Sequence, residues 1–336
     1  MHHRDSNHSA RTAHGDIKPI DIDPGAPVRV AVHLIAAFML FPGGAAFGAL
    51  GGCPVFPRDS VFNTPVDELP VDRRSDAYVA SIGTDTGMHP DFGAGLWDGE
   101  PIGIPYNLVP SDQPSQRVEF VYARQSDRGP YPIPTRPKIE GGSDQHLLTL
   151  QRGQCRLYEL FAVHRDGDGW HAGSGAIWDL ASNRLRPAGW TSADAAGLPM
   201  LPLLVRYGEV AAGEIRHALR FTANRTQRRF VWPARHQASE VTNRNVPPMG
   251  QRFRLKASFD LSGYSSQTRV ILIALKRYGM FLADNGSDWY LSGIPDARWD
   301  NDVLVGELAT VTGADFEAVD ESSLIVDPDS GEARQR

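Results

Sequence analysis

Ionisable side chains interrupt apolar β-strand patterns in the middle of the chain. His146 shares one face of a strand pattern with Leu148 and Leu150, and Glu159 lies between Leu157 and Phe161 on the next pattern. An ionisable group on an apolar face is costly unless it is paired, so such positions mark candidate sites. Burial on this face is expected to raise the pKa of Glu159, as a general acid at neutral pH requires.

The elements that would position these groups form a predicted β-hairpin. Strands over residues 146–150 and 156–161 flank a turn at Arg152-Gly153. If that turn is a two-residue loop, subtraction along both strands places His146 opposite Glu159. A slip of one residue would send one of the two side chains to the opposite face.

Two further residues are predicted to join this pair. Asp144 would lie diagonally beside it on the same face. A third predicted strand, over residues 215–221, also carries an ionisable residue, His217, on an otherwise apolar face. We therefore predict that Asp144, His146, Glu159 and His217 converge on a concave sheet face, with Glu159 as the principal acid. An alternative is a buried His–Glu pair that only stabilises the sheet.

The first functional hypothesis is an enzyme that degrades polysaccharide, namely a glycoside hydrolase. Glycoside cleavage usually needs two carboxyl groups, one of them kept protonated by its surroundings. Glu159 would be the first, and Asp144, Asp179 and Asp194 are candidates for the second. Flat aromatic faces and planar polar groups suit sugar rings and their hydroxyls. The predicted substrate-binding residues are Trp97, Trp178, Trp190, Trp232, His236, Asp284 and Trp289.

Two other classes of function remain open. Asp144, His146, Glu159 and His217 could bind a divalent metal such as Zn, Mn, Fe or Cu, which would make the protein a metal-dependent enzyme acting on polysaccharide. A protein that only binds carbohydrate would need the same aromatic residues but no paired acids. The sequence itself requires no cofactor.

Composition and one apolar segment indicate where the protein acts. A net charge of −6, without a block of like charges, argues against a nucleic-acid partner. Residues 30–50 resemble the apolar region of a secretory signal, and Pro42, Gly43 and Gly44 interrupt the run before it could span a membrane. We therefore predict a secreted or periplasmic monomer.

The chain has two cysteines, Cys53 and Cys155. In an exported protein an even pair more often forms a disulfide, which here would close a loop of about a hundred residues and contribute about 4 kcal/mol. The stretch before Cys53 also resembles a lipoprotein cleavage box, so lipid anchoring through Cys53 is the alternative.

Short alternating strand patterns predict an all-β fold, a two-sheet antiparallel sandwich of jelly-roll type with long loops. One flanking helix is predicted over residues 267–278, capped by Ser265 or Ser266 and ended by Gly279. A loop and short helix are predicted over 189–199, with Asp194 in its first turn. The predicted organisation is a leader over 1–52, one domain over 53–326 and a frayed tail over 327–336.

Five stretches together resemble a family of exported bacterial proteins. They lie at residues 173–180 (GSGAIWDL), 189–199 (GWTSADAAGLP), 215–222 (IRHALRFT), 248–256 (PMGQRFRLK) and 283–293 (ADNGSDWYLSG). The resemblance covers nearly the whole chain after the signal-like segment. It implies export, and it brings neither an established activity nor a catalytic residue.

Overall fold

The computed structural model describes residues 49–335, which are rich in β-structure. In chain order the strands are β1 (His89–Asp91), β2 (Leu96–Trp97), β3 (Glu100–Pro101), β4 (Tyr106–Val109), β5 (Val118–Phe120), β6 (Leu147–Gln151), β7 (Arg156–Phe161), β8 (His164–Asp166), β9 (Gly169–Ala172), β10 (Ser174–Asp179), β11 (Leu219–Ala223), β12 (Gln227–Phe230), β13 (Pro248–Met249), β14 (Arg252–Leu255), β15 (Met280–Asn285), β16 (Tyr290–Ser292) and β17 (Phe316–Ala318). The helices are α1 (Ser75–Ile82), α2 (Tyr207–Ala212), α3 (Ser266–Arg277) and α4 (Asn301–Leu308).

Two sheets form the centre of the molecule. The larger has six strands in the order β1-β16-β11-β15-β14-β17, and the smaller has four in the order β10-β7-β6-β4. The sheets are mixed, because β11 pairs with β15, β1 with β16 and β4 with β6 in parallel. The expectation of antiparallel sheets throughout is therefore wrong. No sheet within residues 49–335 is closed, and the jelly-roll topology stays a prediction.

The two sheets face each other across a shared apolar core, as in a sandwich. Leu148, Leu157 and Trp178 from the four-stranded sheet pack in one cluster with Phe281 and Ala283 from the six-stranded sheet. Helices α1, α3 and α4 cover the other face of the six-stranded sheet, so more than one helix flanks the sandwich. A three-stranded sheet, β5-β9-β8, lies behind the four-stranded one.

Helix α3 begins and ends as its sequence predicts. The Ser265 side chain accepts a hydrogen bond from the Thr268 amide, and the apolar stripe that includes Ile271 and Leu275 is buried. Gly279 follows at φ 63°, a left-handed conformation that glycine adopts without steric cost. In contrast, no helix forms within residues 189–199, which remain a loop.

The predicted hairpin forms with a different register. Gln151 pairs with Arg156 and Leu148 pairs with Glu159, so the loop is four residues long and the register differs from the prediction by two. Because side chains alternate with a period of two, this shift leaves His146 and Glu159 on the same face. The ring of Phe161 lies opposite His146, with centroids 5.6 Å apart.

The disulfide between Cys53 and Cys155 is confirmed, with their Cα atoms 5.3 Å apart. The residues before Ala49, including most of the predicted signal segment, lie outside the described range. Within that range no helix is long and apolar enough to cross a membrane.

The C-terminal residues predicted to be frayed make ordered contacts. Ser330 accepts a hydrogen bond from the Trp232 indole at 2.8 Å, Pro328 accepts one from Arg235 at 2.7 Å, and Ala333 is buried. Residues 327–335 therefore pack against the domain.

Candidate functional site

Glu159 is fully buried on β7 and receives several hydrogen bonds. Its carboxylate accepts the Trp178 indole N–H at 2.9 Å and the backbone amides of Met200 and Leu201 at 2.9–3.1 Å. Burial raises the pKa of Glu159, and these N–H donors oppose that rise. The carboxylate thereby fixes the segment at Met200 to the four-stranded sheet, an arrangement that fits a structural role.

His146 is also buried and makes contacts through both ring nitrogens. Its Nε2 lies 3.0 Å from the carbonyl oxygen of Ala193, and its Nδ1 is bonded to the Glu140 carboxylate. A carbonyl oxygen can only accept, so Nε2 must carry a proton. Burial alone would lower the pKa of His146, but the hydrogen bond and charge of Glu140 raise it above its ordinary value. His146 is therefore favoured as an imidazolium paired with Glu140.

Asp194 lies in the loop over residues 189–199 and forms a buried ion pair. Arg220 on β11 donates from Nε and Nη2 to the two carboxylate oxygens at 3.1 and 3.2 Å, and from Nη1 to the Ser292 hydroxyl at 2.6 Å. The paired geometry holds the guanidinium firmly at the core side of the six-stranded sheet. Asp194 thus balances the buried charge of Arg220. It does not lie at a helix N-terminus, as the sequence predicted.

Asp284 is the partly exposed carboxyl beside this ion pair. It lies near the end of β15, where a β-bulge shifts the register with β11, and its side chain retains 25% of its exposure. Its Oδ2 is 3.9 Å from Arg220 Nη2. Desolvation and the charge of Asp194 raise the pKa of Asp284 to about 7, against opposing effects of Arg220 and His146. A carboxyl in this state can donate a proton near neutral pH.

A second perturbed carboxyl belongs to Asp91, at the end of β1. The residue is exposed, yet desolvation of its carboxyl group and the negative charge of Glu140 raise its pKa. The positive charge of Arg220 acts to lower the pKa of Asp91. We refer to the group that surrounds this guanidinium as the Arg220 cluster. Its members are Asp91, Glu140, His146, Asp194, Arg220, Asp284 and Ser292.

Loops on both sides of Asp284 form the rim of the Arg220 cluster. The Ala196 amide donates to the Ala283 carbonyl at 2.9 Å, which joins the 189–199 loop to β15. On the other side, the Asn285 amide group donates to the Ala238 carbonyl at 2.8 Å. His236 bonds the Ala195 carbonyl oxygen at 2.9 Å and is half-buried. The rim therefore presents polar groups from three separate segments.

Two aromatic rings stand next to Asp91 on neighbouring strands. His89 and Tyr290 face each other in the β1–β16 pair, with ring centroids 4.4 Å apart. Both are half-buried and share a face with Asp91 and Ser292. A partly exposed aromatic pair thus lies beside Asp91.

His217 does not join the Arg220 cluster. Strand β11 begins at Leu219, and the His217 ring turns to helix α2, where it contacts Arg206 at 2.7 Å and Glu209 at 3.1 Å. Desolvation would raise the pKa of Glu209, but the charges of Arg206 and His217 lower it to about 2. The prediction that His217 converges with His146 and Glu159 is wrong because β11 is shorter than its apolar pattern.

The other predicted residues fall into three groups. Asp144 is exposed, and Asp179 is exposed at the end of β10, where its carboxylate accepts the Ala181 amide. Among the predicted sugar-binding residues, Trp178 and Trp289 are buried in the cores. Trp97 is 79% exposed, whereas Trp190 and Trp232 are half-buried, as are His236 and Asp284.

The predicted metal site does not form from its four residues, since His217 lies with Arg206 and Glu209. Across residues 49–335, no group of three or more His, Cys, Asp or Glu side chains is arranged to hold a metal ion. The chemistry that the Arg220 cluster can perform with its own side chains is proton transfer between carboxyl groups and a bound ligand.

Sequence reasoning missed Asp91, Glu140 and Arg220 as site residues. Glu140 lies six residues before His146 in a glycine-containing loop, and no periodicity connects the two. Arg220 carried a detectable signal, because it is a charged residue inside an apolar strand pattern. It falls on the face opposite Leu219 and Phe221, which made it resemble a solvated position.

Three of the five sequence stretches named above contribute residues to the Arg220 cluster. Asp194 belongs to the stretch over 189–199, Arg220 to 215–222, and Asp284 and Ser292 to 283–293. Searches with the chain found no matching family model, curated protein or solved structure.

Proposed function

We propose that the protein is an exported glycoside hydrolase in which Asp284 is the general acid. The observation that carries the proposal is the state of this carboxyl, which is partly exposed and has a pKa of about 7. A glycosidase must protonate the leaving oxygen with a carboxyl group that keeps its proton near the working pH.

The second carboxyl in this mechanism is Asp91. It is exposed and belongs to the same cluster, and the charge of Arg220 opposes the rise in its pKa that desolvation and Glu140 cause. Glu140 is less suited because the buried ring of His146 already occupies one of its oxygens. Arg220 and His89 act to lower the pKa of Asp91, and Arg220 and His146 act to lower that of Asp284. Asp91 would act as nucleophile or as the base that activates water.

The surface around these carboxyls supports a carbohydrate substrate. The partly exposed rings of His89 and Tyr290 offer an apolar contact beside Asp91, and Asn285 and His236 line the opposite rim. Sugars need apolar contacts together with planar hydrogen-bonding groups. The Cys53–Cys155 disulfide is in keeping with an oxidising compartment, where an exported monomer would act on polysaccharide.

The test is a panel of polysaccharides assayed for new reducing ends, with and without a chelator. Wild-type protein should release reducing ends from at least one neutral polysaccharide in both conditions. Asp284→Asn should keep the fold and lower kcat by about 10²–10⁴-fold, as loss of a general acid does.

Asp179→Asn is the matched control, because Asp179 is an exposed carboxyl on β10 outside the Arg220 cluster. Its turnover should equal that of the wild type. Equal losses in both variants, or no loss in Asp284→Asn, would contradict the assignment. Loss of all activity with chelator would instead favour the metal-dependent alternative.

A further inference from the structure

An open groove is lined by chain segments that adjoin members of the Arg220 cluster in sequence. It consists of two cavities of about 610 and 590 Å³, which share Tyr106, Ile294 and Asp296 in their walls. Each volume is within the range of about 300–1,000 Å³ that is typical of small-ligand sites. We call the two together the Tyr106 groove. Adjoining cavities of this size suit an extended ligand better than a compact one.

Three chain segments connect the Tyr106 groove to the Arg220 cluster. Gly93 and Ile139 line one cavity and lie two residues from Asp91 and one residue from Glu140, respectively. Ile294 lines both cavities and lies two residues after Ser292, which bonds Arg220. Two residues span at most about 7 Å, so the backbone of the groove wall is close to the backbone of Asp91, Glu140 and Ser292.

The charges that line the Tyr106 groove are balanced. Its four cationic side chains are Lys138, Arg206, Arg216 and Arg298. Its four carboxylates are Glu100, Glu209, Glu214 and Asp296. Three of the arginines form ion pairs within the groove wall, each at 2.6–2.7 Å. An anionic or cationic ligand would gain little net attraction there. The hydroxyls of a neutral ligand could instead form hydrogen bonds with both the cationic side chains and the carboxylates.

The groove also offers apolar faces. Tyr106 is half-buried between the cavities, and Leu96 on the β2–β3 ribbon lines one of them while 65% exposed. Tyr207 lines the other cavity, with the Arg298 guanidinium 4.3 Å from its ring centroid. The Tyr106 ring and the Leu96 side chain can contact the C–H faces of sugar units, while the charged pairs nearby can bond their hydroxyls.

We infer that the Tyr106 groove binds a neutral oligosaccharide chain, several sugar units of which extend away from the Arg220 cluster. This inference rests on the proposed function and names its substrate class. The protein would therefore prefer long neutral chains to disaccharides and to uronic-acid chains of the same length.

The test measures binding of glucose oligomers of two to six units, and of oligogalacturonides of equal lengths, by calorimetry with the full chain. We expect the neutral hexamer to bind at least tenfold more tightly than the dimer and than the charged hexamer. Tyr106→Ala should lower hexamer affinity about tenfold and leave dimer affinity nearly unchanged. Leu96→Ala, at a position too exposed to affect folding, should weaken hexamer binding several-fold.

Tyr122→Ala is the control, because Tyr122 is 52% exposed and does not line the groove. Equal affinity for all lengths, tighter binding of the charged oligomers, or unchanged hexamer binding in both groove variants would overturn the inference. Length-dependent binding without release of reducing ends would support the groove and contradict the hydrolase. Release of reducing ends at rates independent of chain length in all variants would support the hydrolase and contradict the groove.

Discussion

At the scale of single residues, two carboxyl groups with raised pKa values have opposite surroundings. Glu159 accepts N–H donors from Trp178, Met200 and Leu201 and is 0% exposed. Asp284 keeps a quarter of its exposure and lies beside an arginine that is already paired with Asp194. The first carboxyl holds the chain together, whereas the second can reach a ligand.

The first prediction concerns Glu159. In Glu159→Gln, the new amide N–H group would face backbone N–H donors that now bind a carboxylate oxygen. The free energy of unfolding should therefore fall by about 1–3 kcal/mol, measured by urea denaturation. Turnover per folded molecule should stay near that of the wild type. A stable variant with strongly reduced turnover would restore Glu159 as the catalytic acid.

The sequence revealed part of this arrangement. It predicted that His146 and Glu159 share one face of the hairpin. This prediction is correct although the register is not, because the register differs by two residues and a shift of two keeps each side chain on its face. The four-residue loop was not foreseen because Cys155 takes a left-handed φ of 50°, which its residue type does not signal. Partners such as Glu140 and Arg220 are joined only by tertiary contacts, which local patterns do not record.

At the scale of elements, strands and loops position the site together: β1, β11, β15 and β16 carry Asp91, Arg220, Asp284 and Ser292, whereas loops carry Glu140 and Asp194. Asp194 is brought to Arg220 by the 189–199 loop, which bonds the end of β15 through Ala196. The hairpin that carries His146 and Glu159 is joined at its turn to the N-terminal segment by the disulfide. Helix α3 was predictable from its stripe and caps, because these signals are local. The 189–199 loop was mistaken for a short helix because Thr191 and Ser192 are residue types that cap helices; here their hydroxyls bond backbone carbonyls within the loop.

The second prediction concerns the disulfide, which links residues 102 apart. Replacing both Cys53 and Cys155 with serine should lower the free energy of unfolding by about 4 kcal/mol, because the unfolded chain regains loop entropy. Urea denaturation of the variant and of the reduced wild type should give similar midpoints, both below that of the oxidised protein. Midpoints equal to that of the oxidised protein would contradict this account.

At the scale of the whole molecule, the fold buries many ionisable groups, and this sets its response to pH. Burial raises the pKa values of Asp284 and Glu321 to about 7. Each carboxyl therefore keeps a proton in the folded state that the unfolded chain releases above about pH 4. The pKa of Glu209 is shifted in the opposite direction, down to about 2 in the folded state.

The third prediction follows from these signs. Stability should decrease as the pH rises from about 4 through 7, because the unfolded state then binds fewer protons than the folded state. Asp284 alone should contribute a decrease of about 2–4 kcal/mol. Stability should also fall as the pH drops from about 4.5 to 2, where Glu209 becomes protonated. Unfolding measured across pH 2–8 should show a maximum near pH 4–5, and Asp284→Asn should flatten its alkaline side.

The titration of the Asp284 carboxyl tests the central claim most directly, because it needs no substrate. Carbon-13 NMR of aspartate-labelled protein, assigned by the signal lost in Asp284→Asn, should show this carboxyl titrating with a midpoint near 7. A midpoint for Asp284 near its ordinary value of 3.8 would contradict its role as a protonated acid at neutral pH.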